Sequence, residues 1–370
     1  MLAYIARRLL LMVPTIFGIL LISFIVVQFA PGGPVERSLA ELQGTAVGAT
    51  ARISGGTAAG DFAGTGAGVD ATGGSGSVYR GSQGIDPGLI AELERQYGFD
   101  KPPVERFVLM LTNYLTFDLG ESFFRDQRVW DLIVDALPVS ISLGLWVTLI
   151  SYVISIPLGI RKAVRSGSTF DAWTSGVIIV AYAVPGFLFA ILLVILFAGG
   201  SFFQIFPLGE LTSENFAELS LPEKVLDYFW HLTLPLIALS LSAFATTTLL
   251  TKNSFLEEIR KQYVMTARMK GLSERKVLYG HVFRNAMLII IAGFPGAFIG
   301  SFFTGSILIE TIFSLEGLGL LGYESIFDRD YPIVFGTLYV FSLLALVINL
   351  LTDLTYTFVD PRIDFASREV

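Results

Sequence analysis

Six long apolar blocks dominate the sequence and restrict the chain to a helical fold that spans a membrane. Each block reaches about 20 residues, the length that a helix needs to cross a hydrocarbon core of about 30 Å. None of them contains a lysine or arginine, and such a residue at mid-span would cost at least about 2.5 kcal/mol. The blocks cover residues 9–30, 137–160, 175–198, 232–251, 286–309 and 333–359.

The composition agrees with this assignment, because only 15% of the 370 residues are charged, against about 25% in soluble domains. The first block, which follows Arg7 and Arg8, has a signal peptide as its alternative interpretation. Its apolar region is about twice the usual length for a signal peptide, and Pro31 follows Ala30 where cleavage would occur. We therefore interpret the block as a retained span.

The distribution of lysine and arginine predicts the orientation of the spans. With the N-terminus in the cytoplasm, the short inner segments hold most of the 25 Lys and Arg residues, and the longer outer segments are acidic. Both termini are then cytoplasmic, as expected for a multi-pass membrane protein. The net charge of −7 hides this separation and indicates no nucleic-acid partner.

The chain offers little for metal or covalent chemistry. It has no cysteine, which excludes disulfides, thiolate metal sites and a cysteine nucleophile. His231 and His281 are predicted on opposite sides of the membrane and therefore cannot share a metal ion. No lysine followed by Ser or Thr completes a phosphate-binding loop. We expect no enzyme activity and no cofactor bound by this chain.

The chain divides into four predicted regions: an N-terminus with the first span (1–30), an outer loop (31–136), a transmembrane core (137–359) and a tail (360–370). Within the outer loop, residues 44–84 are rich in Gly, Ala, Ser and Thr, which is typical of a flexible or partner-held segment. Two amphipathic helices follow. The first begins near Asp86 and ends at Gly98. The second is predicted to share one apolar face among Val104, Phe107, Val108, Leu111 and Leu115.

Residues 252–285 form a basic island between two apolar blocks, and this island is the largest predicted inner feature. Phe255, Ile259, Tyr263 and Ala267 recur every four residues, which predicts one face of a helix. The island is either a solvated connector whose charges only set the topology, or a docking element for a cytoplasmic partner. The pattern alone leaves both interpretations open.

A tight turn is predicted inside the island at Gly271. Glycine takes the left-handed conformation of a helix C-terminus without the steric cost that other residues meet. Ser273 is then placed to cap the next helix, with Glu274 in its first turn. The island is therefore predicted to contain two helices joined at Gly271, with small residues that let another protein approach closely.

The stretch TARMKGLSERKVLYGHVFRNA, residues 266–286, resembles the EAA loop of permease subunits of bacterial ATP-binding-cassette (ABC) importers. In that family the loop contacts the ATPase subunits. Ala267 matches the final alanine of the family pattern and Gly271 matches its glycine. Met265 and Thr266 replace the leading glutamate and the middle alanine.

The ending of the loop also departs from the general pattern, since His281, Phe283 and Arg284 replace an apolar-proline ending. These departures are similar to the peptide and nickel branch of the family. Further stretches resemble the B-type permeases of oligopeptide and dipeptide importers from end to end. They are YIARRLLLMVPTIFGI, RQYGFDKPPVERF (95–107), FDLGESF (117–123), ETIFSLEGLGLLGYESIFDRDYP (310–332) and DPRID (360–364).

The resemblance implies an all-α integral membrane protein with six transmembrane helices, the MetI-like domain of type I ABC importers, and a long periplasmic loop after the first helix. It implies a sister C-type permease, two ATPase domains or subunits that bind ATP and Mg, and a periplasmic peptide-binding protein. The assembly would lie in the bacterial inner membrane, in contact with membrane lipid. Its substrate would be an oligopeptide, with antibiotics similar to microcin C as candidate cargo. The ATPase-coupling loop would comprise Tyr263, Thr266, Ala267, Lys270, Gly271, Leu272 and Ser273.

Two further groups of residues are candidate sites. Gly317 and Gly319, in GLGLLGYE, and Asp330 are predicted on the outer side, as part of a gate or a contact for the binding protein. The alternative is a bent connection between spans, since loop glycines usually serve turns. Asp353 lies inside the sixth block, where a carboxylate is a functional candidate by default. It either takes part in proton coupling or pairs with an inner arginine.

Rival functions make different demands on the sequence. A secondary transporter would show internal repeats and charged residues at mid-bilayer, and a channel would need a polar filter or a charged ring. An intramembrane enzyme would need a nucleophile and a base within the spans. The sequence shows none of these patterns clearly. An ABC permease for dipeptides or nickel remains the alternative within the same family.

Overall fold

A computed structural model of the chain describes residues 2–29, 33–42, 87–96, 98–199, 202–303 and 306–359. The Gly-rich stretch 44–84, Asp86 and the tail 360–370 lie outside the described residues, so the predictions made for them are not addressed by the fold.

The described residues are almost entirely helical, which confirms the all-α prediction. Extended pairing among them is limited to one isolated bridge between Glu121 and Arg128. Short non-α helical turns occur at Phe216–Glu218 (3-10) and at Leu278–Val282 (π). The α-helices are α1 (Leu2–Phe29), α2 (Pro34–Leu42), α3 (Pro87–Gln96), α4 (Pro103–Leu115), α5 (Val129–Val164), α6 (Thr169–Ala183), α7 (Gly186–Phe197), α8 (Leu221–Ile259), α9 (Gln262–Met269), α10 (Glu274–Val277), α11 (Phe283–Phe303), α12 (Ser306–Ile312), α13 (Leu318–Asp328) and α14 (Tyr331–Val359).

By length and composition, five helical segments among the described residues are able to cross a membrane, and the total is six if the bent pair α6 and α7 counts as one span. The third predicted span, residues 175–198, is bent, because α6 and α7 meet at 89°. Val184 is extended, with ψ 120°, and Pro185 follows it. Proline disfavours the helical conformation in the residue before it, which explains the break.

The described residues divide into two compact units. The first comprises Met1–Leu9, Pro138–Gly317 and Leu344–Val370, and the second comprises Leu10–Leu137 and Leu318–Leu343. The first unit has two apolar clusters. One joins α5, α7, α8 and α12 through residues such as Leu143, Leu193, Leu232 and Ile309. The other surrounds the basic island and is described with the candidate site.

The second unit contains the two helices predicted after residue 86, and both are confirmed. Gly98 ends α3 with φ 70°, and the Phe99 N–H donates to the Glu94 carbonyl at 2.7 Å. The apolar face predicted for α4 is wrong in part. Val104, Val108 and Leu115 are exposed, whereas Phe107 and Tyr114 are buried.

Aromatic contacts explain which face of α4 is buried. Phe107 packs against Phe24 with ring centroids 5.2 Å apart, and Tyr114 packs against Tyr339 at the same distance. These two rings lie seven residues apart, which is about two helical turns. They turn one face of α4 inward, and the side chain of Val104 consequently points outward.

Within the first unit, α5 and α8 approach each other closely at Gly159. A Cβ atom at that position would lie 2.6 Å from the Thr251 Cβ and 2.9 Å from the Thr248 carbonyl oxygen. Small residues permit such close helix packing in membranes. This crossing determines where the polar residues at the ends of both helices meet.

Candidate functional site

The candidate site is the turn formed by residues 262–273, which we call the Gly271 turn. It begins with a break in the helix: α8 ends at Ile259, and Lys261 is extended with ψ 151°. Lys261 forms an ion pair with Glu258, and the Tyr263 hydroxyl donates to the Glu258 carboxylate at 2.6 Å. These contacts fix the angle at which α9 leaves α8.

The helix predicted from the four-residue spacing is thus interrupted, yet its residues share one apolar cluster. Phe255, Val264 and Ala267 are buried there, with Ile259 and Tyr263 packed against them. Burial, and to a smaller extent the bond to Glu258, raise the pKa of the Tyr263 hydroxyl. The turn is therefore supported from inside by the membrane-spanning helices α5, α8 and α11.

Gly271 has φ 79°, which confirms the predicted left-handed end of α9. The Gly271 N–H donates to the Arg268 carbonyl at 2.9 Å, and the Leu272 N–H donates to the Ala267 carbonyl at 3.4 Å. This pair of bonds is the Schellman motif, which glycine favours at this position. Apart from Gly271 and its two chain neighbours, no atom of the described residues lies within 4 Å of the place that a Cβ would occupy, so conformation and not crowding selects glycine.

The predicted side-chain cap at Ser273 is not formed. Ser273 stands at the N-cap position of α10, but only its carbonyl takes part, accepting from the Val277 N–H at 2.9 Å. Glu274 instead accepts two hydrogen bonds from Arg268, from Nε at 2.9 Å and from Nη2 at 3.1 Å. This bidentate pair closes the turn from the outside.

The surface of the Gly271 turn differs from the one predicted. Ala267 is buried and Tyr263 half-buried, so these candidates support the turn from within. Met265 and Met269 are 65% and 78% exposed, and they lie four residues apart on the opposite face of α9. Thr266, Lys270, Gly271 and Ser273 are exposed around them, and Leu272 is half-buried.

The methionine pair was missed because Met265 was considered only as a departure from the glutamate of the family pattern. The available signal was helical geometry. Once Ala267 faces the core, Met265 and Met269, which each lie two positions from it, must lie on the opposite side of the helix.

A second polar cluster, also missed, joins Lys162, Asp171 and Lys252. The Lys162 side chain is fully buried, and its Nζ lies 3.1 Å from the Asp171 Oδ1. Lys162 also donates to the Thr174 and Ser175 hydroxyls at 2.7 and 2.8 Å. Lys252 donates to both carboxylate oxygens of Asp171 at 2.8 and 2.9 Å. The cluster thus fastens the start of α6 to α5 and α8.

Hydrogen bonds to nearby residues in the sequence hold Asp171 in this position. Ser168 caps α6 by accepting the Asp171 N–H at 3.3 Å, and the carboxylate accepts the Gly167 N–H at 3.1 Å. Lys162 stands one turn beyond Gly159 on α5, and Lys252 follows Thr251 on α8. The close crossing at Gly159 therefore brings both lysines to the same carboxylate.

Asp353 pairs with α1. Its carboxylate lies 2.6 Å from the Arg8 Nη2 and accepts the Tyr4 hydroxyl at 2.9 Å. The structure therefore provides an arginine partner for this carboxylate, from the first helix and not from a loop. Proton coupling through Asp353 has no support in these contacts and stays a prediction.

Gly317 and Gly319 have different surroundings. A Cβ at Gly317 would lie 2.5 Å from the carboxyl carbon of Glu310, whose side chain is fully buried. Gly317 is thus needed for the close approach of this carboxylate. Gly319 lies in the first turn of α13 and is half-buried. Their predicted part in a gate is not tested by these positions.

Residues 155–365 match the family described as "Binding-protein-dependent transport system inner membrane component". The chain belongs to this family. The match includes the Gly271 turn, the Lys162–Asp171–Lys252 cluster and Asp353. Membership decides against the secondary transporter, the channel and the intramembrane enzyme considered as rivals.

This family member is similar to known relatives over its whole length. It is 68% identical to the Peptidoglycan transport system permease protein YejB of Agrobacterium fabrum (strain C58), with 100% of both chains covered. It is 56% identical to the Inner membrane ABC transporter permease protein YejB of Escherichia coli O157:H7, covering 99% of this chain and 100% of the relative. Identity to the Oligopeptide transport system permease protein AppB of Bacillus subtilis is 30%, covering 99% and 100%.

These findings confirm the resemblance to B-type ABC permeases that the sequence stretches indicated. The predicted fold class is confirmed as well, since an all-helical chain with five or six candidate spans carries the family's domain. The chain is accordingly a multi-span permease component of a bacterial ABC transport system.

Asp330 of this permease holds a loop in place. Its side chain is only 2% exposed. It accepts the Ser122 hydroxyl at 2.5 Å and the Phe123 N–H at 3.2 Å. The part predicted for Asp330 in a gate or a binding-protein contact stays a prediction. Two stretches of the B-type resemblance, FDLGESF and RDYP, meet through these bonds.

The protonation of Asp330 gives a pH-dependent prediction. Burial raises the pKa of this carboxyl, although the bonds from Ser122 and Phe123 oppose the shift. A raised folded-state pKa means that the neutral acid favours the folded loop. Its stabilising contribution is complete below the unfolded pKa of about 3.9 and is lost as the pH rises through the folded value.

Hydrogen exchange of residues 117–128, corrected for the intrinsic pH dependence, measures this effect. We expect protection in the wild-type chain to fall as the pH rises through that window, and we expect Asp330→Asn to show a flat profile. A wild-type profile as flat as that of the variant would contradict the assignment.

Proposed function

We propose that this permease carries oligopeptides across the inner membrane and receives the energy of ATP hydrolysis from partner subunits at the Gly271 turn. The observation that carries the proposal is the surface of the turn. Two exposed methionines stand on a rigid frame, with Lys270 and Ser273 beside them. Unbranched, polarisable methionine suits contact with a partner surface.

The support behind the turn suits the transmission of force. Alternating access is an equilibrium between two states, and ATP shifts it only through contacts that differ between them. A flexible loop would change shape when its contacts change and would leave the helices in place. Here the Schellman motif, the Arg268–Glu274 pair and the apolar cluster connect the turn to α8 and α11. A partner that moves the turn would therefore move these helices.

The proposed orientation rests on the charge bias of the sequence. It places the termini, the Lys162–Asp171–Lys252 cluster and the Gly271 turn at the cytoplasmic face, with α3 and α4 in the periplasm. The proposed partners are a sister C-type permease, two ATPase domains or subunits that bind ATP and Mg, and a periplasmic peptide-binding protein. The family description supports a binding protein in general terms.

The proposed substrate class rests on the names of the relatives. One is a peptidoglycan transport permease and another an oligopeptide transport permease. The substrates named in both descriptions contain peptide bonds. None of these names concerns an antibiotic, and cargo similar to microcin C stays a prediction. Dipeptides or nickel are the alternative cargo within the family.

Co-purification tests the proposal. The tagged permease, expressed with its partner subunits, is expected to bring down ATPase subunits whose vanadate-sensitive hydrolysis rises with peptide-loaded binding protein. Met265→Asp combined with Met269→Asp should reduce ATPase recovery by about tenfold or more, since each change places a charge at the centre of the interface.

Val104→Asp combined with Leu115→Asp is the matched control, because these residues are 75% and 76% exposed in the other unit. It should leave recovery unchanged. Equal recovery with both double variants would refute docking at the Gly271 turn.

A further inference from the structure

A cavity of about 440 Å³ lies entirely within the second unit. Its wall comes from the end of α1, the segment after Gly98, α4, the loop before α5 and the start of α14. Its volume falls in the range of small-molecule sites, which combine aromatic walls with a few convergent polar groups. Most of the lining precedes residue 155, where the match to the family description begins, and only Tyr331, Pro332 and Phe335 lie within the match.

Arg106 is the most firmly positioned cation of this cavity. Its guanidinium lies 4.4 Å from the centroid of the Phe99 ring and 5.9 Å from that of Phe24. Its Nη2 donates to the Gln28 side-chain oxygen at 2.6 Å. Stacking on rings occupies the face of a guanidinium and directs its edge, which carries the N–H donors, sideways. That edge matches the geometry of a carboxylate.

The formal charges of the side chains that line the cavity sum to zero. Three cations and three carboxylates line it: Arg95, Lys101, Arg106, Asp100, Asp118 and Glu121. A lining that carries both positive and negative charges is poorly suited to a simple anion or to an apolar ligand. It is suited to a ligand that carries a carboxylate and an ammonium group at once, with an uncharged body against the aromatic wall.

We propose that this cavity binds the termini of a short zwitterionic peptide, with the peptide carboxylate on Arg106 and its ammonium group on carboxylates of the lining. The inference rests on the proposed function for the choice of a peptide among zwitterions. It assigns the second unit a site of its own, which receives peptide before passage through the spans. Zwitterionic lipid headgroups share this chemistry, and the test separates the two sources.

The test measures binding of trialanine to the purified complex of permease and partner subunits, without the periplasmic binding protein. Trialanine amide lacks the carboxylate, N-acetyl-trialanine lacks the ammonium group, and phosphoethanolamine represents the lipid headgroup. We expect trialanine to bind and each of the other three probes to bind at least about tenfold more weakly, the effect of losing a charged hydrogen-bonded pair.

Arg106→Gln should weaken trialanine binding by a similar factor, and Arg106→Lys should weaken it less. Arg125→Gln is the matched control, because Arg125 pairs with Glu324 at 2.8 Å outside the cavity lining. Should Arg106→Gln fail to fold, Met110→Trp tests the cavity by filling it. Met110 lines the wall and keeps the arginine in place.

Three results would overturn the proposal: no trialanine binding to the wild-type complex, equal binding to the Arg106 and Arg125 variants, or tighter binding of phosphoethanolamine than of trialanine. Co-purification of ATPase subunits is scored separately. Recovered ATPase without trialanine binding rejects the cavity site alone, whereas trialanine binding without ATPase rejects the proposed energy coupling alone.

Discussion

Gly271→Asp is expected to lower ATP-driven peptide uptake by at least about 100-fold while the permease still inserts in normal amounts. A residue other than glycine pays about 1–2 kcal/mol in the left-handed region, and Gly271 has φ 79°. The new carboxylate also stands beside the exposed methionines at the proposed interface. Because no atom lies within 4 Å of the new Cβ, the fold itself has room for the side chain.

The comparison variant is Gly280→Asp, which places the same charge at another glycine of the stretch 266–286. Gly280 also has open space around its Cβ position, and it is not among the positive-φ glycines of the described residues. It should lower uptake much less than Gly271→Asp does. Gly271→Asn separates conformation from charge, because asparagine tolerates the left-handed region and is neutral. Uptake by Gly271→Asp at the wild-type rate, with equal amounts of protein in the membrane, would refute the role of the turn.

Asp171→Asn is expected to destabilise the permease by about 3–5 kcal/mol, the usual effect of removing one partner from a buried ion pair. The fully buried Lys162 would lose its counter-charge, and Lys252 would lose its bidentate acceptor. Folded domains have a margin of only about 5–15 kcal/mol. We therefore expect a large fall in the amount of folded protein and in its thermal midpoint in detergent.

Asp353→Asn is the matched control, since it also removes a carboxylate from an ion pair. Its partner Arg8 is 45% exposed, and such pairs contribute at most about 1 kcal/mol. Combining Asp171→Leu with Lys162→Met should recover most of the lost stability, because apolar replacement of a buried pair is often neutral. Equal thermal midpoints for Asp171→Asn and Asp353→Asn would show that the cluster does not stabilise the fold.

The helix α8 links the sites of the two predictions, the Gly271 turn and the Asp171 cluster. Lys252 lies seven residues before the end of this helix at Ile259, which is about two turns. A displacement of the Gly271 turn would act along α8 on the Asp171 carboxylate and hence on the start of α6. We expect the cluster to keep α5, α6 and α8 together when the turn moves.

Local signals in the sequence predicted the local features of this molecule. The apolar blocks predicted the spans, and single glycines predicted the ends of α3 and α9, because helix termination depends on a few adjacent residues. The cluster at Asp171 was beyond such reasoning. Its lysines lie 9 and 81 residues away in the chain, and only the crossing at Gly159 brings them together.

Errors arose where two local rules competed. Hydropathy predicted one span across Pro185 without its 89° bend, which the backbone restriction before proline produces. Apolar spacing predicted that Val104 and Val108 face inward on α4, but the larger rings of Phe107 and Tyr114 determined the buried face. At the Gly271 turn, the family pattern predicted Ala267 as a contact residue, whereas Met265 and Met269 are exposed.

Cysteine cross-linking at Met269 tests the central claim most directly, because the chain has no native cysteine and the substituted thiol is unambiguous. Met269→Cys in the assembled transporter is predicted to cross-link to an ATPase subunit with a short thiol-reactive linker, and to be protected from membrane-impermeant reagents added outside intact cells. Cross-linking to the periplasmic binding protein, or labelling from outside, would contradict the account.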